Sequence, residues 1–131
     1  MSITGKPNLM EVIICSAFEV HNTLGSGFLE QVYENALQVE LQSHGIRTEA
    51  QKPVAVRYKD KVVGEFVAAL VVEDVVILEI TSAEKLCDAH ENRLKNCLKA
   101  AGIEMGLLIN FGKSVEVRRK SVTPGVEVIA P

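Results

Sequence analysis

The sequence predicts an α/β fold in which helices cover a mixed β-sheet, and three observations lead to this prediction. First, 131 residues suffice for one hydrophobic core, so we expect residues 1–131 to form a single domain. Second, the apolar residues switch between helical and strand spacing in the order α-α-β-β-β-α-β-β. Third, the most apolar strands lack polar alternation, so both faces of the sheet need covering helices.

The first two elements are helices joined by a glycine turn. From residue 8 to residue 24 the apolar residues recur every three or four positions, and Asn8 is a suitable N-cap. Residues 25–27 read Gly-Ser-Gly and interrupt that spacing, after which the helical pattern resumes at Leu29. Gly45 is a natural end for the second helix, because glycine tolerates the left-handed backbone that follows a helix.

The remaining elements are strands and a third helix. A period-two pattern follows the second helix and opens a meander, and two apolar runs around Glu73 and Asp74 predict a hairpin buried on both faces. Helical spacing then returns before two further strands. The predicted ranges are strands at residues 54–58, 67–72, 75–80, 105–111 and 115–119, a helix at residues 88–101 closed by Gly102, and a loose or edge segment over the last eight or so residues.

Charge is balanced along the chain, whose net charge is −3. Residues 1–65 hold 6 Lys+Arg against 8 Asp+Glu, and residues 66–131 hold 8 against 9, so neither half is a basic arm. Strong nonspecific binding to a phosphate backbone needs clustered cations, which this composition does not display. A basic patch formed only in the fold keeps nucleic acid open as a partner, beside another protein or a second copy of the chain.

Cysteine usage and hydropathy indicate a soluble protein of a reducing compartment. Cys15, Cys87 and Cys97 are odd in number and lie in apolar or helical contexts, so we expect buried free thiols and no disulfides. The most apolar stretch, residues 66–80, is interrupted by two acidic residues and is too short to span a membrane. The N-terminal residues lack a signal-peptide pattern, so the cytoplasm is the expected location.

Glu79 is the first candidate for a functional residue, because it interrupts the most apolar strand of the chain. A buried charge is costly unless it is paired, hydrogen-bonded or bound to a metal. The functional interpretation is a metal ligand or general base on a central strand. The structural alternative is a carboxylate that reaches solvent or pairs with a basic residue of a covering helix, such as Arg93.

Glu30 is the second candidate, because it begins the second helix directly after the glycine turn. A glutamate in the first helical turn is also a common stabilising choice, since the helix dipole favours an anion there. Tyr33, three residues later, lies on the same helix face, so the two side chains can point to one place. The structural alternative for Tyr33 is a core position with its hydroxyl at the rim.

A longer motif surrounds these residues: VHNTLGSGFLEQVYENAL at residues 20–37 resembles the signature of the GxxExxY protein family, with Gly27, Glu30 and Tyr33 at its named positions. Later segments agree with the family in order and spacing, namely residues 64–66, the hairpin to Glu79, LKAAG at 98–102 and GLLINFG at 106–112. The resemblance implies membership of the PD-(D/E)XK nuclease superfamily. It therefore implies a restriction-endonuclease-like core and, in active members, divalent-metal hydrolysis of phosphodiesters.

The resemblance also implies which positions carry the chemistry. The helix glutamate falls on Glu30 and the sheet glutamate on Glu79, whereas the metal-binding aspartate falls on Ala69 and the catalytic lysine on Thr81. Alanine cannot ligate a metal and threonine carries no cation. The glutamine of the third helix falls on Arg93, and its aromatic on Cys97. If residues 73–75 form a three-residue turn, position 69 lies opposite position 79.

These departures predict a degenerate and inactive nuclease-like domain that acts as a nucleic-acid or protein binding or assembly module. We expect no cofactor, and Mg²⁺ or Mn²⁺ if activity is retained. The alternative is a metal-dependent phosphodiesterase with a rearranged site, in which Glu30 and Glu79 hold a weakly bound metal and Arg93 replaces the missing cation. An ion pair between Arg93 and one of these glutamates is the structural alternative.

Three further patterns have mainly structural interpretations. Cys87 and His90 have a C-x-x-H spacing, but a zinc site needs more ligands, so we expect a helix start capped by Asp88. His21 is expected to be a satisfied interior histidine. The basic triplet at residues 118–120 is expected to be a solvated strand edge that discourages pairing, and only secondarily a phosphate contact.

Overall fold

The computed structural model describes residues 8–123, which form three helices and one five-stranded sheet. The order of elements is the predicted one. The helices are α1 (Leu9–Leu24), α2 (Glu30–Ser43) and α3 (Asp88–Ala101), and the strands are β1 (Thr48–Tyr58), β2 (Lys61–Val72), β3 (Val76–Thr81), β4 (Met105–Phe111) and β5 (Val115–Ser121).

The sheet is mixed, as predicted. Its spatial order is β1-β2-β3-β4-β5, in which β3 and β4 are parallel and every other neighbouring pair is antiparallel. A parallel pair needs a crossover connection, and α3 provides it. This arrangement brings the ends of β3 and β4 to the same edge of the sheet.

Helices cover both faces of the sheet. One core lies between the sheet and the pair α1–α2, and it includes Tyr33, Leu37, Leu70, Leu78 and Phe111. The other core lies under α3 and includes Ile77, Leu94, Leu98 and Leu108. A Cβ on Gly106 of β4 would lie 2.9 Å from Leu94 Cδ1, so the absence of a side chain there permits the close approach of α3.

The helix ends follow the predicted capping chemistry at three of four positions. Gly45 follows the C-cap of α2 with a φ of 77°. The backbone N–H of Met10 donates to Asn8 Oδ1 at 2.8 Å, and Gly102 closes α3 with a φ of 70°. Asp88 is not the N-cap of α3, because Cys87 has the extended backbone of the cap and Asp88 is already helical. That prediction was wrong by one residue.

The strands are longer than the hydrophobic pattern indicated. β1 begins at Thr48 and not at Val54, because its first half is an exposed edge that carries polar residues and Pro53. The apolar run predicted at residues 67–72 is the second half of a single strand that starts at Lys61, and β5 extends to Ser121. The loose or edge segment predicted for the last eight or so residues lies almost wholly outside the described residues.

The prediction of three buried thiols holds for Cys97 and is wrong for Cys15 and Cys87, which are exposed. Cys15 lies on the outward side of α1, and Cys87 lies in the loop that enters α3. All three cysteines are free. None of the helices within residues 8–123 combines the length and the apolar composition needed to cross a bilayer.

Candidate functional site

The candidate site lies where β2 and β3 separate. The ladder between these strands begins at Val72↔Val76, next to the three-residue turn, and ends two pairs later at Leu70↔Leu78. β3 continues to Thr81 in contact with β4, while β2 runs back along β1. Ala69 and Glu79 are the next positions beyond the ladder, which agrees with the register predicted from a three-residue turn. We call this opening the Glu79 cleft.

Glu79 and Arg93 form an ion pair in the Glu79 cleft. Arg93 Nε lies 3.0 Å from Glu79 Oε2, and the side chain of Glu79 is 13% exposed against 57% for Arg93. Burial raises the pKa of Glu79 to about 7, although the Arg93 charge opposes that rise. The pair therefore joins a largely buried carboxylate on β3 to a partly solvated cation on α3.

Two glutamates of α2 extend this acidic cluster. The charges of Glu30 and Glu34 both add to the rise in the pKa of Glu79, so both lie within electrostatic reach of it. Glu30 is exposed at the first residue of α2, whereas Glu34 is buried one turn later. Gln51 of β1 donates through Nε2 to Glu34 Oε2 at 2.6 Å.

Sequence reasoning missed Glu34 and Gln51. The i,i+4 spacing of Glu30 and Glu34 was an available signal, because it places both side chains on one helix face. Gln51 gave no such signal. Its φ of 51° is a left-handed backbone within a strand, and the fold alone brings it to α2.

Tyr33 lies in the core and orders the glycine turn. Its hydroxyl donates to the carbonyl of Gly25 at 2.6 Å and accepts from the N–H of Phe28 at 3.2 Å. Its ring stacks on Phe111 with centroids 4.7 Å apart. The hydroxyl is thus directed at the turn that contains Gly27, and it is not directed to the same place as the exposed Glu30.

The other motif positions bring neither a carboxylate nor a cation to the Glu79 cleft. Ala69 is a partly buried methyl group, and Thr81 is buried two residues after Glu79 on the same strand. Cys97 lies on the buried side of α3, where burial and the nearby Glu79 charge raise the pKa of its thiol. Within residues 8–123, no three His, Cys, Asp or Glu side chains are arranged to hold a metal ion.

The C-x-x-H pair builds a helix start. The backbone N–H of Cys87 donates to His90 Nδ1 at 3.1 Å, and Cys87 Sγ lies 3.4 Å from the same nitrogen. His21 is a partly buried histidine, as predicted, with Nε2 2.9 Å from the carbonyl oxygen of Gly112 and its ring stacked on Phe111.

The basic triplet of β5 is only partly a solvated edge. Lys120 Nζ lies 2.7 Å from Glu91 Oε1, and Arg118 pairs with the other oxygen of the same carboxylate. These hydrogen bonds lower the pKa of Glu91 to about 2. The prediction of a solvated strand edge was therefore wrong for Arg118 and Lys120, because α3 presents Glu91 to them. It holds for Arg119, which is exposed.

Comparisons with known proteins agree with this architecture. A solved structure described as "Crystal structure of SSO0001" superposes with a TM-score of 0.58 at 14% sequence identity. The match covers 70% of this chain and 48% of that one, so the chain spans about half the length of that protein. No curated protein matches the chain.

The family model of the PD-(D/E)XK nuclease superfamily matches residues 7–121. This match covers all eight elements of the described structure, and with the structural neighbour it confirms the predicted restriction-endonuclease-like α/β fold. The chain belongs to the PD-(D/E)XK nuclease superfamily.

Proposed function

We propose that this domain is a GxxExxY-type member of the superfamily with a degenerate motif, which does not hydrolyse phosphodiesters and acts as a binding or assembly module for nucleic acid or protein. The observation that carries the proposal is the Arg93–Glu79 ion pair. In this pair, Arg93 supplies a cation from the chain itself to Glu79, the sheet glutamate. The residue at the position opposite Glu79 is Ala69.

The residues present do not fit the metal that active superfamily members use. Hydrolysis on Mg²⁺ needs carboxylates that converge on the ion and a cation that offsets charge on the nucleophile. Glu79 is paired with Arg93, and Glu34 is bonded to Gln51, so both carboxylates already have partners within the protein. A pKa of about 7 also leaves Glu79 protonated in much of the population near neutral pH, and a protonated carboxyl is a poor metal ligand.

The named motif positions support the GxxExxY assignment through structural roles. Tyr33 ties the glycine turn to the core through Gly25 and Phe28, which fixes where α2 begins and hence where Glu30 lies. Gly27 has a φ of 109°, a backbone conformation that other residues rarely adopt. The motif can thus be retained for the fold of this turn when catalysis is lost.

The rearranged nuclease is the second candidate, and one observation favours it. The charges of Glu30 and Glu34 both raise the pKa of Glu79, so two further acidic groups lie within electrostatic reach of it. An active site built from them requires Arg93 to release Glu79. The two candidates differ in what they predict for cleavage.

A cleavage assay separates the two candidates. We expect the purified protein to leave single-stranded DNA, duplex DNA and RNA intact in Mg²⁺ or Mn²⁺. Cleavage that co-purifies with the protein and is abolished in both Glu79→Ala and Arg93→Ala would overturn inactivity and favour the rearranged nuclease. Fluorescence anisotropy with the same nucleic acids then measures the binding role directly.

Restoration of the missing groups tests the motif assignment. Ala69→Asp with Thr81→Lys adds the absent carboxylate and cation beside Glu79, so we expect a gain of at least about tenfold in Mn²⁺ affinity by calorimetry. The matched control is Ala55→Asp with the same lysine, which places the carboxylate elsewhere on the β1–β2 hairpin. Equal Mn²⁺ affinity for wild type and the folded Ala69→Asp double variant would contradict the assignment of positions 69 and 81.

A further inference from the structure

A groove between α1 and α2 lies away from the Glu79 cleft. It has a volume of about 580 Å³, and Val12, Ile14 and Cys15 contribute to its largely apolar floor. The α2 side of the groove is formed by Glu40 and His44, near the end of the helix opposite to Glu30. With a rise of 1.5 Å per residue, Glu40 lies about 15 Å along the helix from Glu30.

The ionised residues of this groove are acidic. Glu11 and Glu19 line it from α1, and Glu40 lines it from α2. Among the described residues, no lysine or arginine lines the groove. His44 is its only basic side chain in the described part of the chain, and His44 Nε2 lies 3.1 Å from Glu40 Oε2. The rim therefore favours a cationic ligand and repels phosphate groups.

Ser16 adds a second, independent observation. Ser16 lies in the groove wall and is 2% exposed. Among residues 8–123, its Oγ is the one buried side-chain oxygen or nitrogen that has no hydrogen-bond partner. The usual partner of a serine in a helix is the carbonyl of the residue four positions earlier, here Val12, and that bond is not made. The oxygen has almost no accessible surface, so a polar group in the groove can bond to it only if docking shifts the groove wall.

We propose that this groove docks an amphipathic helix of a partner protein, whose apolar stripe packs on the floor and whose flanking Lys or Arg side chains pair with Glu11, Glu19 and Glu40. A third helix laid between two antiparallel helices fills the groove by ordinary ridge-into-groove packing. The acidic rim selects a basic helix over nucleic acid or an anionic membrane. The inference rests on the assembly role proposed above and names its partner class.

Docking is tested with a short helical peptide whose leucine stripe is flanked by lysines, and with the same peptide carrying glutamates in place of the lysines. We expect the lysine peptide to bind, and Glu11→Gln with Glu19→Gln to weaken its binding about tenfold. Glu65→Gln with Glu104→Gln removes the same charge from exposed positions outside the groove and is expected to leave the affinity unchanged. Equal weakening by both double variants, or equal binding of the two peptides, would overturn the proposal.

The exposed cysteines give the location of binding. Cys15 lies in the groove and Cys87 lies outside it, so the lysine peptide should slow alkylation of Cys15 several-fold and leave Cys87 unaffected. Protection of both thiols, of neither, or of Cys15 by duplex DNA instead of the peptide would overturn the assignment. Mass spectrometry of the alkylated peptides distinguishes the two positions.

Ser16→Ala separates docking from folding. The variant removes an unsatisfied buried hydroxyl, so we expect the melting temperature to rise while peptide affinity falls about threefold. An affinity equal to that of wild type would overturn the part assigned to Ser16. Failure of the peptide to dock leaves the inactivity of the Glu79 cleft untouched, and cleavage in the nuclease assay leaves the docking result untouched, so the two proposals fail separately.

Discussion

Glu79 and Glu91 each pair with an arginine, yet their pKa values move in opposite directions. The pKa of Glu79 rises to about 7, with burial as the main cause, and that of Glu91 falls to about 2, with hydrogen bonds from Lys120 and Arg118 as the main causes. Helix α3 takes part in both pairs, since it supplies Arg93 to β3 and Glu91 to β5. An arginine neighbour alone therefore does not keep a carboxylate ionised.

The environment around each pair explains the difference. Glu79 lies on an inner strand of the sheet, the charges of Glu30 and Glu34 raise its pKa, and Arg93 contacts one of its oxygens. Both oxygens of Glu91 have a cationic donor, although its side chain is only 17% exposed, close to the 13% of Glu79, so the two donors account for the difference. Superfamily chemistry would need Glu79 to be ionised, and of the two arginine-paired carboxylates it is Glu91, in the pair that joins α3 to β5, whose ionised form is favoured.

The largest expected effect is the pH dependence of stability that Glu79 causes. Its pKa is higher in the folded state than the ordinary 4.5, so the folded state holds the extra proton between pH 4.5 and about 7. The stabilisation is complete below pH 4.5 and is lost as the pH rises through 7. Conversion of that pKa difference gives about 3 kcal/mol.

Glu79→Gln isolates this contribution. The variant should be close to wild type in unfolding free energy at pH 4 and more stable by an amount approaching about 3 kcal/mol at pH 8, by urea denaturation. Glu104→Gln changes an exposed glutamate outside the cleft and serves as the control. A difference between Glu79→Gln and wild type that does not vary with pH would mean that Glu79 titrates normally, and the comparison with Glu91 would fail.

The second effect is the loss of the Arg93 cation. Arg93→Ala leaves a buried carboxylate without its partner, so we expect a loss of about 1–2 kcal/mol at pH 8, after allowance for the exposed position of the arginine. At pH 5 the Glu79 carboxyl is protonated, and the loss should nearly vanish. Arg93→Gln keeps much of the side-chain volume and is the control for packing.

An equal cost of Arg93→Ala at both pH values would assign the effect to packing of the arginine stem on α3. A cost confined to high pH would assign it to the ion pair. Carbon-13 detection of the Glu79 carboxyl by NMR gives an independent reading, because removal of Arg93 should raise its pKa further.

The predictable features of the fold were those with a local signal. Asn8 and Gly102 end their helices by chemistry that is visible in a few residues, and the polar turn at Glu73 and Asp74 sets the register that brings Ala69 and Glu79 to the end of the ladder. The first half of β1 was missed because an exposed edge strand with polar residues has no apolar alternation.

The contacts of the candidate site also differ in whether a local sequence signal made them predictable. The pairing of Glu79 with Arg93 was the structural alternative considered for Glu79, because a charge within an apolar strand needs a partner, and the ion pair is present. The Glu34–Gln51 bond was missed because it depends on the left-handed backbone at Gln51. The contact of Glu91 with β5 was missed because it joins residues that only the packing of α3 brings together.

The smallest effect concerns Glu91, and it has the opposite sign with pH. Its folded-state pKa lies below 4.5, so its stabilisation is present above pH 4.5 and is lost as the pH falls through 2. Glu91→Gln should therefore destabilise at pH 7 and have little effect near pH 2, and the loss should shrink in high salt because the side chains of Arg118 and Lys120 are partly exposed to solvent. Exposed Glu84→Gln is the control. Urea denaturation at low and high ionic strength measures this loss of stability. A loss that does not depend on salt would show that Glu91, like Glu79, is held in an enclosed environment. The contrast between the two carboxylates would then be removed.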